Sequence, residues 1–228
     1  MDEKILDEIL SRAVVKEGEA LEPLGGGYAI IQPTDGYRFG TDAVKLAKFA
    51  GAHLHGGARV LDLCSGCGIV GLSLCADIGA RVVGAEIDGA LCDMSNRSAA
   101  ANDFDARFEN IDLRSEFDAS RLCGRRFFDA VVCNPPFFKV DSKPRTVAPD
   151  ANSEMTIDFE RIADVASSFV KAGGKFFFVH TLSRLDELIC ICTAHGLRVK
   201  KLVINKNRKT FTAKCVFGGK AGMEVEVE

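Results

Sequence analysis

No stretch of this 228-residue sequence approaches the ~20 consecutive apolar residues that a membrane-spanning helix needs. The opening Met1–Leu10 is charged and helix-like, without the apolar core of a secretory leader. Net charge is also small. The 29 Lys and Arg against 32 Asp and Glu leave −3, which excludes a globally basic nucleic-acid binder and leaves any polyanion to a local patch. Histidine is scarce. Of the four, only His53 and His55 stand close in sequence, in an expected surface loop, so no histidine-built metal centre is expected. Internal repeats and low-complexity linkers are absent. Cysteine is not scarce: there are nine, an odd number, set in apolar runs such as "VVC" and "ICIC". That usage fits reduced thiols acting as small core hydrophobes in a cytosolic protein. "CSGC" (Cys64–Cys67) has C-x-x-C spacing, but no second pair matches it, so a metal is again not expected.

What is present is an ordered alternation. Residues 2–12 read as a short amphipathic helix, and 20–33 as two strands around Gly25–Gly27. Residues 41–50 read as a helix capped by Thr41. Apolar strands are then expected at 58–64, 80–88, 106–112, 127–134 and 174–180, separated by helices that end near Asp77 and Asn102 or span 154–172 and 184–196. Two final strands, 197–204 and 210–217, are joined by the short "NKNRK" and are expected to be antiparallel. Near-continuous apolar strands alternating with helices predict a doubly wound parallel sheet with right-handed crossovers. In such a sheet ligands sit beyond the strand carboxyl ends, at the topological switch point.

Two of those ends carry marks. After the first sheet strand comes "LDLCSGCGIVGL" (61–72), with Asp62 on the strand and Gly66 and Gly68 in the turn, where glycine lets a ligand approach the backbone. Gly71 falls at the wrong spacing for the dinucleotide fingerprint. The second strand ends at Glu86, where a carboxylate can accept both hydroxyls of a ribose. The third ends at Asp112, within reach of an adenine amino group. NAD and S-adenosylmethionine both carry the ribose.

The fourth strand decides between them. "FDAVVCNPPFF" (128–138) offers no general acid for hydride transfer. It offers Asn134, whose side-chain oxygen can accept from an exocyclic amine. It also offers Pro135, whose carbonyl is left free while φ is fixed, followed by Pro136 and by Phe137, which can stack on a base for ~1–3 kcal/mol. Two acceptors aimed at an amine's two N–H bonds turn its lone pair out of the ring plane, toward an activated methyl. Preorganised acceptors and in-line placement then supply the catalysis.

"LDLCSGCG", "GAEID" and "CNPPFF", in that order, resemble the motifs of Rossmann-like, S-adenosylmethionine-dependent methyltransferases of the N6-adenine type. "GYRFGTDAVKLAKFA" (36–50) and the chain from residue 153 onward are similar to the tRNA-1(Val) adenine-37 N6-methyltransferase family. The resemblance implies a class I α/β fold. Its sheet is a doubly wound, mostly parallel one of seven strands in the order 3-2-1-4-5-7-6, the last-paired strand antiparallel. It implies an N-terminal extension and cofactor-lid segment (1–57) before one compact methyltransferase unit (58–228). Tyr37, Arg38, Gly40, Thr41 and Asp42 would form the lid, with Thr41 or Asp42 near the cofactor's amino-acid end. Asp62, Cys64, Gly66 and Gly68 would line the methionine moiety, Glu86 the ribose with Ile87 beside it, and Asp112 the adenine. Asn134, Pro135, Pro136 and Phe137 would hold the target base. The sequence departs from the family in Cys64 and Cys67, and in Phe137 where tyrosine is common.

The implied partner is a tRNA, with no membrane and no metal, and the expected state is a cytoplasmic monomer. Residues 198–214 hold seven Lys or Arg and no acid. Lys206, Arg208 and Lys209 there, with Lys139, Lys143 and Arg145 after "NPPFF", are expected to form a positive rim for RNA phosphates. Three alternatives stay open: a guanine-N2 RNA methyltransferase, a glutamine-N5 protein methyltransferase, and a catalytically silent cofactor-binding RNA partner. The glutamine enzyme is disfavoured, because the 57 residues before the first sheet strand do not read as a helical domain.

Overall fold

A computed structural model describes residues 3–25, 27–36, 38–122, 124–137 and 157–228. Helix α1 (Glu3–Arg12) precedes an antiparallel hairpin of β1 (Glu19–Leu24) and β2 (Tyr28–Pro33), and α2 (Thr41–Gly51) leads into the main sheet. Strands β3 (Arg59–Leu63), β4 (Arg81–Glu86), β5 (Ala106–Asn110) and β6 (Phe128–Cys133) follow, with α3 (Ile69–Ile78), α4 (Gly89–Ala101) and the short α5 (Glu116–Ser120) between them. Helix α6 (Phe159–Phe169), β7 (Val170–Thr181), α7 (Leu185–Ala194), β8 (Leu197–Asn205), β9 (Thr210–Phe217) and β10 (Glu224–Val227) complete the chain.

The main sheet runs β5-β4-β3-β6-β7-β9-β8-β10. The order inferred from sequence is present, with an eighth strand added beyond β8. Only β9 is antiparallel to its neighbours, and β10 lies parallel to β8. The chain lays β4 on one side of β3 and later β6 on its other side, both parallel to it, which places the switch point at the carboxyl end of β3.

Strand alternation divides the core into two layers. Leu61, Leu63, Val131, Phe176 and Phe178 face α6 and α7, meeting Phe159, Ile162, Leu188 and Cys192. Val60, Val82, Val132 and Phe177 face the other way, against Leu46 and Ala50 of α2 and Leu72 of α3. The three consecutive phenylalanines of β7 are each fully buried, worth roughly 1.5–3 kcal/mol apiece.

The N-terminal hairpin docks through side chains of α4. Ala29 N–H donates to Asn102 Oδ1 (3.0 Å) and Ile31 N–H to Ser98 Oγ (2.8 Å), so an otherwise open strand edge is satisfied. Arg97 pairs with Glu19 at 2.5 Å where both side chains are largely covered. Asp88 and Asp158 cap α4 and α6 through their carboxylates. Helix α2 differs from expectation: its cap is Gly40, which has no side chain to offer as an acceptor, and Thr41 is already helical.

The eight cysteines among the described residues are all unbridged, and all but Cys64 and Cys190 are buried. Among the described residues no three His, Cys, Asp or Glu gather as metal ligands, and no helix is long and apolar enough to cross a membrane.

Candidate active site

Strand β3 pairs with β6 so that Leu63 stands opposite Cys133. The glycine turn and "NPPF" therefore leave the sheet side by side. Asp62 is buried, and its Oδ2 accepts the N–H of Gly71 at 2.9 Å. A β-carbon on Gly71 would come within 2.7 Å of Val82 Cγ1 and 3.1 Å of Asp62 Oδ2. This glycine, out of step with the dinucleotide fingerprint, thus sets the close approach of α3 to the sheet. Gly68 starts α3 at φ +80, a conformation that favours glycine.

Glu86 is nearly buried and organises the turn from the next strand. Its Oε2 accepts the N–H of Gly66 at 2.7 Å and its Oε1 that of Asp88 at 3.0 Å. Ser95 of α4 donates to the carbonyl of Gly66 at 3.1 Å. Burial pushes the Asp62 carboxyl up to about 7, with the Gly71 N–H opposing the shift and the nearby Glu86 charge adding to it. Glu86 is raised too, again by burial, against the pull of the Asp88 and Gly66 N–H groups. Ile87 is exposed beside it.

Asp112 stands apart from this pair. Both its oxygens are held by Arg114, with Nη2 to Oδ2 at 2.7 Å, and that guanidinium keeps its carboxyl below the usual range. Arg38 pairs with Glu22 at 2.6 Å. Asp42 pairs with Arg208 at 2.9 Å, joining the start of α2 to the β8–β9 turn. Lys206, Arg208 and Lys209 are exposed on that turn, which projects from the edge of the sheet where β7 ends: the N–H of Leu182 donates to the Lys209 carbonyl at 2.8 Å. Tyr37, Lys139, Lys143 and Arg145 lie outside the described residues.

Five buried side-chain polar atoms lack a hydrogen-bond partner among the described residues: Gln32 Oε1, Asp62 Oδ1, Ser65 Oγ, Asn134 Oδ1 and His180 Nε2. All but the first belong to the carboxyl ends of β3, β6 and β7, which are adjacent strands. Each such atom costs about 1–3 kcal/mol if nothing meets it. Unmet acceptors such as Asp62 Oδ1 and Asn134 Oδ1 beside a glycine turn suit a ligand bearing an ammonium and a sulfonium, so the residues fit S-adenosylmethionine. Pro135 is buried, and the Phe137 ring, partly covered, lies 5.2 Å from the His180 imidazole at a 44° tilt. Sequence reasoning missed His180. Its signal is a histidine ending an apolar strand next to "NPPF", which a reading for metal-ligand spacing passes over.

Strand order, switch point and the paired β3 and β6 turns define a class I methyltransferase, an enzyme class whose methyl donor is S-adenosylmethionine. More narrowly, the chain belongs to the methyltransferase small domain family, whose model matches residues 46–184. A curated relative from Porphyromonas gingivalis, a tRNA1(Val) (adenine(37)-N6)-methyltransferase, is 33% identical over 174 residues, 72% of this chain and 67% of its own. A release factor glutamine methyltransferase from Agrobacterium fabrum is 38% identical over 89 residues, 38% of this chain and 28% of its own. Among solved structures, the Thermus thermophilus 16S rRNA N2 G1207 methyltransferase in complex with AdoMet and guanosine superposes with a TM-score of 0.64 at 22% identity. That match covers 87% of this chain and half of the other, a likeness of fold.

Proposed function

We propose that this protein methylates the exocyclic N6 amine of an adenine in tRNA, at the anticodon-loop position 37 named for its relatives. The observation that carries the reading is the unpaired, buried Oδ1 of Asn134, which leaves the sheet beside the glycine turn of β3. S-adenosylmethionine supplies a methyl already activated on sulfur, so the chain's own work is binding and orientation. Glu86 holds the ribose hydroxyls. Asp62 and the Gly66–Gly68 turn would line the amino-acid end beneath the lid of Tyr37 to Asp42, and Asp112 would lie toward the adenine. Asn134 Oδ1 and the Pro135 carbonyl accept the two N–H bonds of the target amine, drawing its lone pair out of conjugation. Phe137 stacks on the base, and Pro136 stiffens the turn between them. The exposed Lys206 and Lys209, with the lysines and arginine of 139–145, meet RNA phosphates. The work is that of a cytoplasmic monomer.

Labelled methyl transfer to total tRNA, rRNA and protein tests this. Label is expected in N6-methyladenosine from tRNA. Asn134→Ala should lose about 10²–10³-fold in rate, the cost of removing one preorganised polar group from a reacting centre, while cofactor affinity stays within a few-fold. Label in 2-methylguanosine or in glutamine would sink the assignment. The glutamine outcome is named because of the local match to a release factor glutamine methyltransferase.

A further inference from the structure

His180 is the penultimate residue of β7 and is fully buried. The backbone N–H of Thr181 donates to its Nδ1 at 2.8 Å. An accepting Nδ1 carries no proton, so in the neutral ring the proton sits on Nε2. Burial, with the Arg184 charge adding to it, pushes the imidazole down to about 4 and keeps it neutral at ordinary pH. His180 therefore presents one N–H donor, fixed in tautomer by the backbone, and that donor has no partner among the described residues.

Its position relates it to the site. Strands β6 and β7 pair Cys133 with Phe178, and counting two residues on sets His180 level with Pro135. The imidazole contacts Phe137 at 5.2 Å between ring centres, while Phe159 supports it edge-on at 6.1 Å. Two unpaired groups thus flank the Asn-Pro-Pro-Phe turn on neighbouring strands: an acceptor, Asn134 Oδ1, and a donor, His180 Nε2–H. Adenine offers the complement, an amine that donates next to ring nitrogens, N1 on one side and N7 on the other, that accept. On its Watson–Crick edge guanine sets an N–H beside its amine and would meet the imidazole donor with another donor.

We propose that the Nε2–H of His180 donates to a ring nitrogen of the target adenine, N1 or N7, adjacent to the amine held by Asn134. It is a specificity-determining contact, and it rests on the reading of Asn134 given above.

The test uses tRNA carrying 1-deazaadenosine or 7-deazaadenosine at the target position, methylated by the wild type and by His180→Phe. Wild-type kcat/KM should fall about tenfold or more on one of the two analogues, the loss expected when a buried donor is left unmet. Removing a ring nitrogen also alters the amine itself, so the ratio between enzymes decides. In His180→Phe the normal adenine should be about tenfold worse, and the penalty for that analogue should shrink toward unity. His180→Gln, which keeps a donor, should recover part of the activity. If both analogues match adenine with the wild type, or if His180→Phe keeps the full analogue penalty, the contact does not exist. The wild-type arm stands even where the variant fails to fold. A protein that methylates no adenine removes the reading of Asn134 and this inference together. One that methylates adenine and both analogues alike removes this inference only.

Discussion

At the scale of single residues, the site is governed by groups buried without full compensation. Asp62 is the clearest case. Its folded-state pKa, about 7, stands above the ordinary 3.8. Between roughly pH 4 and 7 the folded chain therefore keeps a proton that the unfolded chain has released. Stability must fall as pH rises through that window and level off above it, by up to about 4 kcal/mol. Asp62→Asn still accepts from Gly71 N–H but carries no charge, so its denaturation midpoint should overtake the wild type's as pH rises from 5 to 8. Parallel midpoint profiles for the two proteins would contradict the account. Asp62, Glu86 and Asn134 could be picked out from sequence because their residue types and strand positions are explicit there. The pairing of Asp112 was not legible: Arg114 two residues later occupies both its oxygens, and a motif does not record a local ion pair. The tautomer of His180 was illegible for a different reason: it depends on which nitrogen the Thr181 N–H occupies, a matter of backbone geometry.

At the scale of elements, the strands were readable because each buried one is an apolar run. The three-phenylalanine stretch of β7 serves both core layers at once. What escaped were elements with weak patterns: α5, five residues long, and β10, whose "EVEV" is exposed at every position. The close seating of α3 on the sheet escaped as well, since it depends on space rather than on composition. Gly71→Ala tests it. The added methyl must displace Val82 and crowd Asp62, so stability should drop by about 1–3 kcal/mol. Urea midpoints would register that drop, and an unchanged midpoint would mean that α3 does not sit so close.

At the scale of the whole molecule, an acidic chain that takes tRNA, as proposed above, must hold the polyanion by placement. The exposed Lys206 and Lys209 stand on a turn at the edge of the sheet where β7 ends, whereas Arg208 beside them is engaged with Asp42. Lys206→Ala with Lys209→Ala should weaken tRNA binding. The double change should also flatten the log–log salt dependence by about 0.7–0.9 for each phosphate no longer neutralised. Filter binding at several salt concentrations measures both, and an unaltered slope would show that RNA approaches elsewhere.

The neighbouring placement of β3 and β6 has one more consequence. The glycine turn and the Asn-Pro-Pro-Phe turn are rooted on two strands locked side by side by backbone hydrogen bonds, about 4.8 Å apart. The relative placement of the two turns' roots is thus inherited from the sheet lattice itself. Surface loops can be lengthened or exchanged without moving these roots, since no loop length alters the register that sets Leu63 opposite Cys133.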